Sequence, residues 1–370
     1  MLGNPASPNT RQCRQCGRSA AFVLAAVLAC SAQPARAETE GAVGAPPPPR
    51  ETAGGFQERT VLSPRGALTV EPSLSYSQNT STTVSIDGFT ILPAIAVGLI
   101  SLRQTQRDTV TGALAFRYGV TPRLEVETRI PYLWREERVK ERELLAGADF
   151  AAIADSSGHG LGDIEGALRY QISRGRGDGP IFIGNLRVKS RTGLDPFEVE
   201  RIPVIYEDEE VGEEEFRTYI FAEQPTGSGF WSVQPSINWV YPSEPAVLYG
   251  SVGYLHNISR TVDINLGDGE TDRRNIDPGD AVSVGFGMGI ALNDRTSVSL
   301  GYDHTTVFRT RVTGGQPGLD DEFSRIHVGS LMLGASHRIG PRTSVGLSVA
   351  VGVTDEAPDV QATLRVPIRF

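Results

Sequence analysis

From residue 67 to the last residue, apolar and polar side chains alternate in one short segment after another. In "ALTVEPSLSYS" (67–77), Leu68, Val70, Pro72, Leu74 and Tyr76 fall on one face, and Thr69, Glu71, Ser73, Ser75 and Ser77 on the other. A period of two is that of a β-strand whose faces meet different surroundings. The pattern returns in "VTGALAFRYG" from Val110, "RLEVETRIPYLW" from Arg123, "GDIEGALRYQI" from Gly162, "IFIGNLRVKS" from Ile181 and "FWSVQPSINWVY" from Phe230. It continues in "AVLYGSVGYLH" from Ala246, "AVSVGFGMGIAL" from Ala281, "SVSLGYDHTTVF" from Ser297, "RIHVGSLMLGASH" from Arg325, "SVGLSVAVG" from Ser344 and "VQATLRVPIRF" from Val360, making twelve segments.

The connections set the architecture. "VTP" (120–122), "SRGRGDGP" (173–180), "PSEP" (242–245), "NDRT" (293–296) and "RIGPRT" (338–343) are compact turns rich in Gly, Pro, Asn and Asp. The alternate connections, such as those after Ser77, Trp134 and Ser190, are mostly much longer. A soluble β-sandwich would alternate in hydrophobicity, but nothing would make its loop lengths alternate as well. An even number of strands of bilayer-crossing length predicts an all-β protein. The expected fold is a twelve-stranded antiparallel transmembrane up-and-down β-barrel with short periplasmic turns and long extracellular loops. Aromatic placement agrees: Tyr118, Tyr170, Trp239, Tyr241 and Phe370 fall at periplasmic ends, and Tyr76, Tyr132, Trp134, Tyr254 and Tyr302 toward outer ends.

With the apolar face on lipid, the other face lines the lumen. Strands two to five then aim Arg117, Glu125, Glu127, Arg129, Asp163, Glu165, Arg169, Arg187 and Lys189 inward. Strand eight contributes only Ala281, Ser283, Gly285, Gly287, Gly289 and Ala291, and strand eleven Ser344, Gly346, Ser348, Ala350 and Gly352. One wall is charged and the other nearly bare. The charges can satisfy one another across strands, and the bare wall can leave a path or receive an inward-folded loop. The last strand puts Leu364, Val366, Ile368 and Phe370 toward lipid and ends on an aromatic residue, the form of a recognition strand for the barrel insertion machinery.

Composition adds an address. Arginines at positions 11, 14 and 18 precede the apolar run 20–29 and the small-x-small site "ARA" (35–37), so residues 1–37 read as an export signal cleaved near Ala37. A competing reading takes "VLAC" as a lipoprotein site with Cys30 lipidated. All three cysteines lie within the signal, and the pair Cys13 and Cys16 lacks the second pair a zinc site needs. Residues 38–58, with "GAPPPPRETAGG", form a Pro/Gly-rich periplasmic leader, and residues 59–370 the barrel. A net charge of -9 argues against nucleic acid. The location implied is the bacterial outer membrane, with lipid and lipopolysaccharide as neighbours.

Several stretches also have a familiar look. "EPSLSYS", "RYGVTPRLEVETRIPY", "GLGDIEGALRY", "SRTGLDP" and the ending "GVTDEAPDVQATLRVPIRF" resemble the bacterial family of outer-membrane transporters linked to the MetA pathway of phenol degradation. The resemblance runs from about residue 59 to the end and rests on strand and turn patterns. It implies a porin-like channel for small, including aromatic, compounds, and supplies no active-site residues.

The apolar stretch "FTILPAIAVGLISL" (89–102) sits where an outer loop should be polar; it either extends its strands or folds inward as a constriction. The acidic run "EDEEVGEEE" (207–215) reads as a solvated loop, and "DINLGDGETD" (263–272) misses the EF-hand spacing. "GHGLGD" and "GDG" read as turns rather than phosphate loops. The five histidines, His159, His256, His304, His327 and His337, accompany no G-x-S-x-G elbow. His304 follows Asp303, but strand neighbours point to opposite faces. The expectation is a channel that is not an enzyme, passing a small-molecule solute with no cofactor or metal. The alternatives are a structural or adhesive barrel with a closed lumen, and an outer-membrane hydrolase.

Overall fold

The computed structural model describes residues 62–370 apart from 93–94, 146–147, 174–178, 207–215, 244–245, 266–270, 315–320 and 323–324. The signal, the leader and the acidic run at 207–215 lie outside the described residues, as do part of one "GDG" stretch (177–179) and all of the other (267–269).

Twelve antiparallel strands close a barrel. They are β1 (Leu68–Leu92), β2 (Ile95–Thr121), β3 (Leu124–Leu145) and β4 (Ala148–Leu161, resuming as Glu165–Gln171). Next come β5 (Ile181–Lys189), β6 (Ser232–Ser243), β7 (Ala246–Asn257) and β8 (Ala281–Ala291). The circuit is completed by β9 (Thr296–Val307), β10 (Ile326–Arg338), β11 (Ser344–Gly352) and β12 (Val360–Arg365, resuming as Ile368–Arg369). Each of the twelve alternating segments of the sequence is represented.

Closure is made by β12 on β1. The pairs run from Gln78↔Val360 to Ser73↔Arg365 and, in unchanged register, on to Val70↔Ile368 and Thr69↔Arg369. Pro367 removes one donor, and the ladder survives it because Val366 N–H donates to Pro72 O at 3.0 Å and Phe370 N–H to Leu68 O at 2.8 Å. The terminal residue is thus tied to the sheet, and over residues 69–78 closure gives β1 a partner on both edges.

Burial is the inverse of that in a water-soluble protein. On the closing strands Leu74 is 53% exposed while its neighbour Ser75 is 5% exposed. Leu333 and Phe286 are exposed on the outside, and Thr111, Ser283, Thr305 and Thr363 are buried within. An apolar outer face around a polar interior is stable only against a solvent that is itself apolar. Tyr118, Tyr170, Tyr241 and Phe370 are exposed near the short-turn end, and Tyr76, Trp134 and Tyr254 toward the other.

Two connections differ from expectation. The chain after Ser77 and after Trp134 does not loop out: β1 and β2 stay paired as far as Leu92↔Ile95, and β3 and β4 as far as Leu145↔Ala148. The described backbone of 89–92 and 95–102 belongs to the first of these hairpins, so it extends its strands.

A second difference lies in β4. Its pairing to β3 shifts by one residue between Tyr132↔Leu161 and Arg129↔Glu165. The extra residue is a β-bulge, which reverses which side chains face inward. Below it Asp163, Glu165 and Arg169 enter the lumen; above it the inward positions are Gly158 and Gly160. "GHGLGD" is therefore the end of a strand plus its bulge, not a turn.

Two smaller sheets stand on the long-loop side. Arg201–Tyr206 pairs with Phe216–Phe221. Arg260–Asn265, Thr271–Asp277, Arg311–Thr313 and Asp321–Glu322 form a four-stranded sheet, which includes part of "DINLGDGETD" as strand.

Candidate functional site

The register of β2 to β5 assembles the charged wall. Near the short-turn mouth, Glu125 is fully buried. It accepts hydrogen bonds from Arg169 Nη1 at 2.7 Å and from the Ser63 N–H at 2.6 Å. The start of the described chain is thereby tied inside the barrel; Pro64 and Ser63 pass so close to Gly119 that a Cβ there would lie 2.1 Å from the Pro64 carbonyl. Arg117 pairs with Glu71 and lies opposite Glu127 in the ladder. Higher up, Glu165 lies opposite both Arg129 and Lys189. Its carboxylate is held loosely between Arg129, at 3.9 Å, and Arg187, at 3.8 Å. Lys189 is 3.6 Å from Asp163 and donates to Ser228 Oγ at 2.5 Å. Within this wall the register pairs Arg169 with Glu125, Lys189 with Asp163, and Glu165 with Arg129 and Arg187 across strands.

Ser228 belongs to a feature whose placement the sequence did not reveal. Two stretches between β5 and β6, 190–200 and 222–231, turn inward and lie along β3 and β4. Asp163 is their anchor: it accepts the N–H groups of Gly193 at 3.1 Å and Ser228 at 2.8 Å, and the Ser228 hydroxyl at 2.7 Å. Thr226 Oγ1 donates to Leu161 O at 2.7 Å and accepts the Leu194 N–H at 2.9 Å. Gln224 N–H donates to Ser157 O at 3.1 Å, and Arg135 Nη1 to Pro225 O at 2.6 Å.

The seat for this loop is a row without side chains. A Cβ on Gly158 would lie 2.2 Å from the Gln224 carbonyl oxygen, and one on Gly193 would lie 2.5 Å from Gly227. Neither approach is open to any other residue. The inward loop therefore rests on the glycines of β4 and not on the bare wall of β8 and β11. The signal in the sequence was glycine at every second position, 158, 160 and 162, read as turn chemistry. The bare wall is itself partly covered, since the buried Tyr249 of β7 lies across Gly287 and Gly301.

Between the charged wall and the bare wall lies a cavity of about 180 Å³. Arg129, Glu165, Arg187 and Lys189 form one side. Leu133 lies above Arg129 on the same strand, and Phe230 of the inward loop, Leu255, Val307 and Ile326, with Ala281 and Ser283 of β8, complete the lining. Phe230 continues outward into an apolar cluster with Val262, Ile276 and Val312 of the four-stranded sheet, and meets Phe197 edge-on at 5.6 Å. That sheet is tied to the inward loop by Arg260, which pairs with the buried Asp195 and donates to Gly229 O at 3.2 Å.

Of the remaining candidates, His304 and His327 stack 5.8 Å apart. They share the outward face with Tyr302, whereas Asp303 is buried in the lumen, so that pair is split by the sheet. No group of three or more metal-ligating side chains occurs among the described residues. On β12, Leu364 and Phe370 are exposed on the outer face, with Val366 and Ile368 on the same side.

Fold and lumen together define a β-barrel of the membrane-spanning kind, apolar outside and polar within, whose interior receives an inward loop. Residues 218–370 match the family described as "Putative MetA-pathway of phenol degradation". The resemblance seen in the sequence thus holds over that stretch. It contains the ending quoted above, and the other quoted motifs precede it. The barrel is similar to the crystal structure of an outer membrane channel from Pseudomonas putida F1, at a TM-score of 0.54 and 15% identity, covering 86% of this chain and 100% of that one. At lower similarity stand the translocator domain of autotransporter NalP from Neisseria meningitidis and the CymD monoaromatic hydrocarbon channel. The former has a TM-score of 0.43 and 9% identity, covering 85% of this chain and 91% of that one. The latter has a TM-score of 0.40 and 10% identity, covering 83% of this chain and 88% of that one.

Proposed function

We propose that the protein is a channel for passive passage of small amphiphilic solutes across the outer membrane, aromatic compounds of one ring among them. The observation that carries this reading is the cavity between the two walls. Its volume of about 180 Å³ compares with the about 150 Å³ of an apolar cavity that takes up benzene. Apolar side chains beside charged groups suit a solute with a ring and a polar group. The family description and the Pseudomonas putida channel support the reading. Passage down a gradient needs no cofactor. A hydrolase would need a base beside a nucleophile, and His256, His304 and His327 lie on the outward face, away from the cavity.

Purified protein in planar bilayers provides the test. Discrete current steps that are interrupted by a single-ring solute are expected. A membrane that stays silent both for the native protein and for variants with the inward loop unseated would instead indicate a structural barrel with a closed lumen. The roles of lipopolysaccharide as neighbour and of the insertion machinery as reader of β12 belong to the same reading.

A further inference from the structure

The outer wall of β7 to β10 carries a polar cap above its apolar belt. The strand registers set out the outward positions row by row. Phe286, Tyr302 and Leu331 lie in one row, and Phe286 and Leu331 are exposed. Next toward the long-loop end come Val284, His304 and Gly329, and then Tyr254, Val282, Thr306 and His327. Beyond them lie His256, Asp280, Phe308 and Arg325. An outward face passes from hydrocarbon to headgroups where apolar side chains give way to polar ones. The cap therefore stands at headgroup depth, in the leaflet on the long-loop side.

The charges of this cap do not cancel within the protein. The one carboxylate in these rows, Asp280, accepts the Tyr254 hydroxyl, lies 2.9 Å from His256 Nδ1 and accepts the Asn257 N–H at 3.2 Å. Phe308 separates it from the exposed Arg325, whose guanidinium lies over that ring, 5.3 Å from its centroid. Arg325 forms no ion pair among the described residues, and the exposed Asp355 and Glu356 that follow β11 pair with neither it nor His327. His327, also exposed, has Nδ1 3.2 Å from Thr306 Oγ1, and the same hydroxyl lies 3.4 Å from Nε2 of the stacked His304. With the Thr306 hydroxyl donating to Nδ1, the ring proton of His327 sits on Nε2, which has no protein partner among the described residues. Two positions apart on one face is about 7 Å, so both heads can meet one phosphate group. We infer that Arg325 and His327 form a binding site for a phosphate of lipopolysaccharide, with Phe286, Tyr302 and Leu331 against its acyl chains. The site rests on the outer-membrane location and not on passage of a solute. A net charge of -9 would by itself repel such a lipid, so the attraction is local.

The experiment uses the full chain in detergent, stripped of lipid, with a chelator present so that divalent bridging contributes nothing. Lipid A with two phosphates, the same lipid lacking both, and phosphatidylethanolamine are titrated in turn, and native mass spectrometry reads the bound fraction. The bisphosphorylated form is expected to bind about tenfold tighter than the other two. Arg325→Gln should weaken it about tenfold, the effect of one charge-assisted hydrogen bond, and His327→Phe about threefold. Arg325→Lys, which keeps the charge, should retain most of the affinity. Arg138→Gln, which breaks an exposed ion pair with Asp155 elsewhere on the barrel, should leave it unchanged. Heat-dependent electrophoretic mobility reports whether each variant remains a folded barrel, and His327→Phe carries the test should Arg325→Gln fail to fold. Equal affinity for lipid A with and without phosphates would overturn the site. So would native affinity in a folded variant at Arg325 or His327, or a loss in Arg138→Gln as large as in Arg325→Gln, the mark of diffuse attraction. None of these readings needs current to flow, so the channel stands or falls separately.

Discussion

Replacing Gly158 by alanine separates the inward loop from the barrel wall more selectively than any truncation. The added Cβ would lie 2.2 Å from the Gln224 carbonyl oxygen and 2.7 Å from its nitrogen, against backbone atoms that cannot swing aside. Relieving that overlap moves the loop by about 1 Å or more. Two hydrogen bonds lie directly in the path: Gln224 N–H to Ser157 O, and Arg135 to Pro225 O. A neutral bond contributes about 1 kcal/mol and one from a guanidinium about 2 kcal/mol. Their joint loss, about 3 kcal/mol, shifts the ratio of seated to unseated loop by about a hundredfold. The barrel itself is unaffected, because β4 remains paired to β3 at Arg135↔Gly158 through its backbone. In planar bilayers Gly158→Ala should show larger or flickering conductance steps than the native protein. A thiol placed at the otherwise occluded Thr226 by Thr226→Cys should also become reactive to a soluble reagent in the Gly158→Ala background. Native conductance together with an unreactive thiol at position 226 would refute the account of the glycine row as the seat of the loop.

Other consequences can be checked independently. Arg169→Met leaves the fully buried Glu125 carboxylate with only the Ser63 N–H, so it should lower unfolding stability in urea by about 3–5 kcal/mol. The double variant with Glu125→Gln should recover much of that loss, and equal stability of single and double variants would count against the pair as drawn. Deleting residues 91–100 shortens the hairpin of β1 and β2 outside the barrel, so single-channel conductance should be unchanged; a rise would mean that the segment does enter the lumen. Removing Phe370 takes away one closing hydrogen bond, to Leu68 O, and the exposed terminal aromatic. It should slow assembly into membranes more than it alters conductance once inserted, and native assembly kinetics would contradict the recognition role of β12.

Much of this protein is written in its period of two. Strand number, the inverted inside and outside, and the inward direction of residues such as Arg117, Glu165 and Lys189 follow from alternation alone, because a strand can offer each side chain only one of two faces. The closing role of β12 is equally local: its apolar positions run to Phe370 without a break in phase.

What alternation could not supply depends on where the backbone ends up. The described backbone of 89–92 and 95–102 is paired in a ladder, but its sequence is a nearly unbroken apolar run, so its status as strand is invisible to a pattern that reads contrast between faces. The bulge at Gly162 to Ile164 reverses the phase of β4 by a single residue. Only the pairing with β3 reveals that Gly158 and Gly160 face the lumen there. The glycines are then legible as a seat, but the loop they receive lies more than sixty residues further along the chain, at Gln224 to Gly227. That contact, with Asp163 as its anchor, decides the shape of the cavity. Sequence set the two walls; the tertiary structure set the gap between them, because the width of a lumen depends on what folds into it.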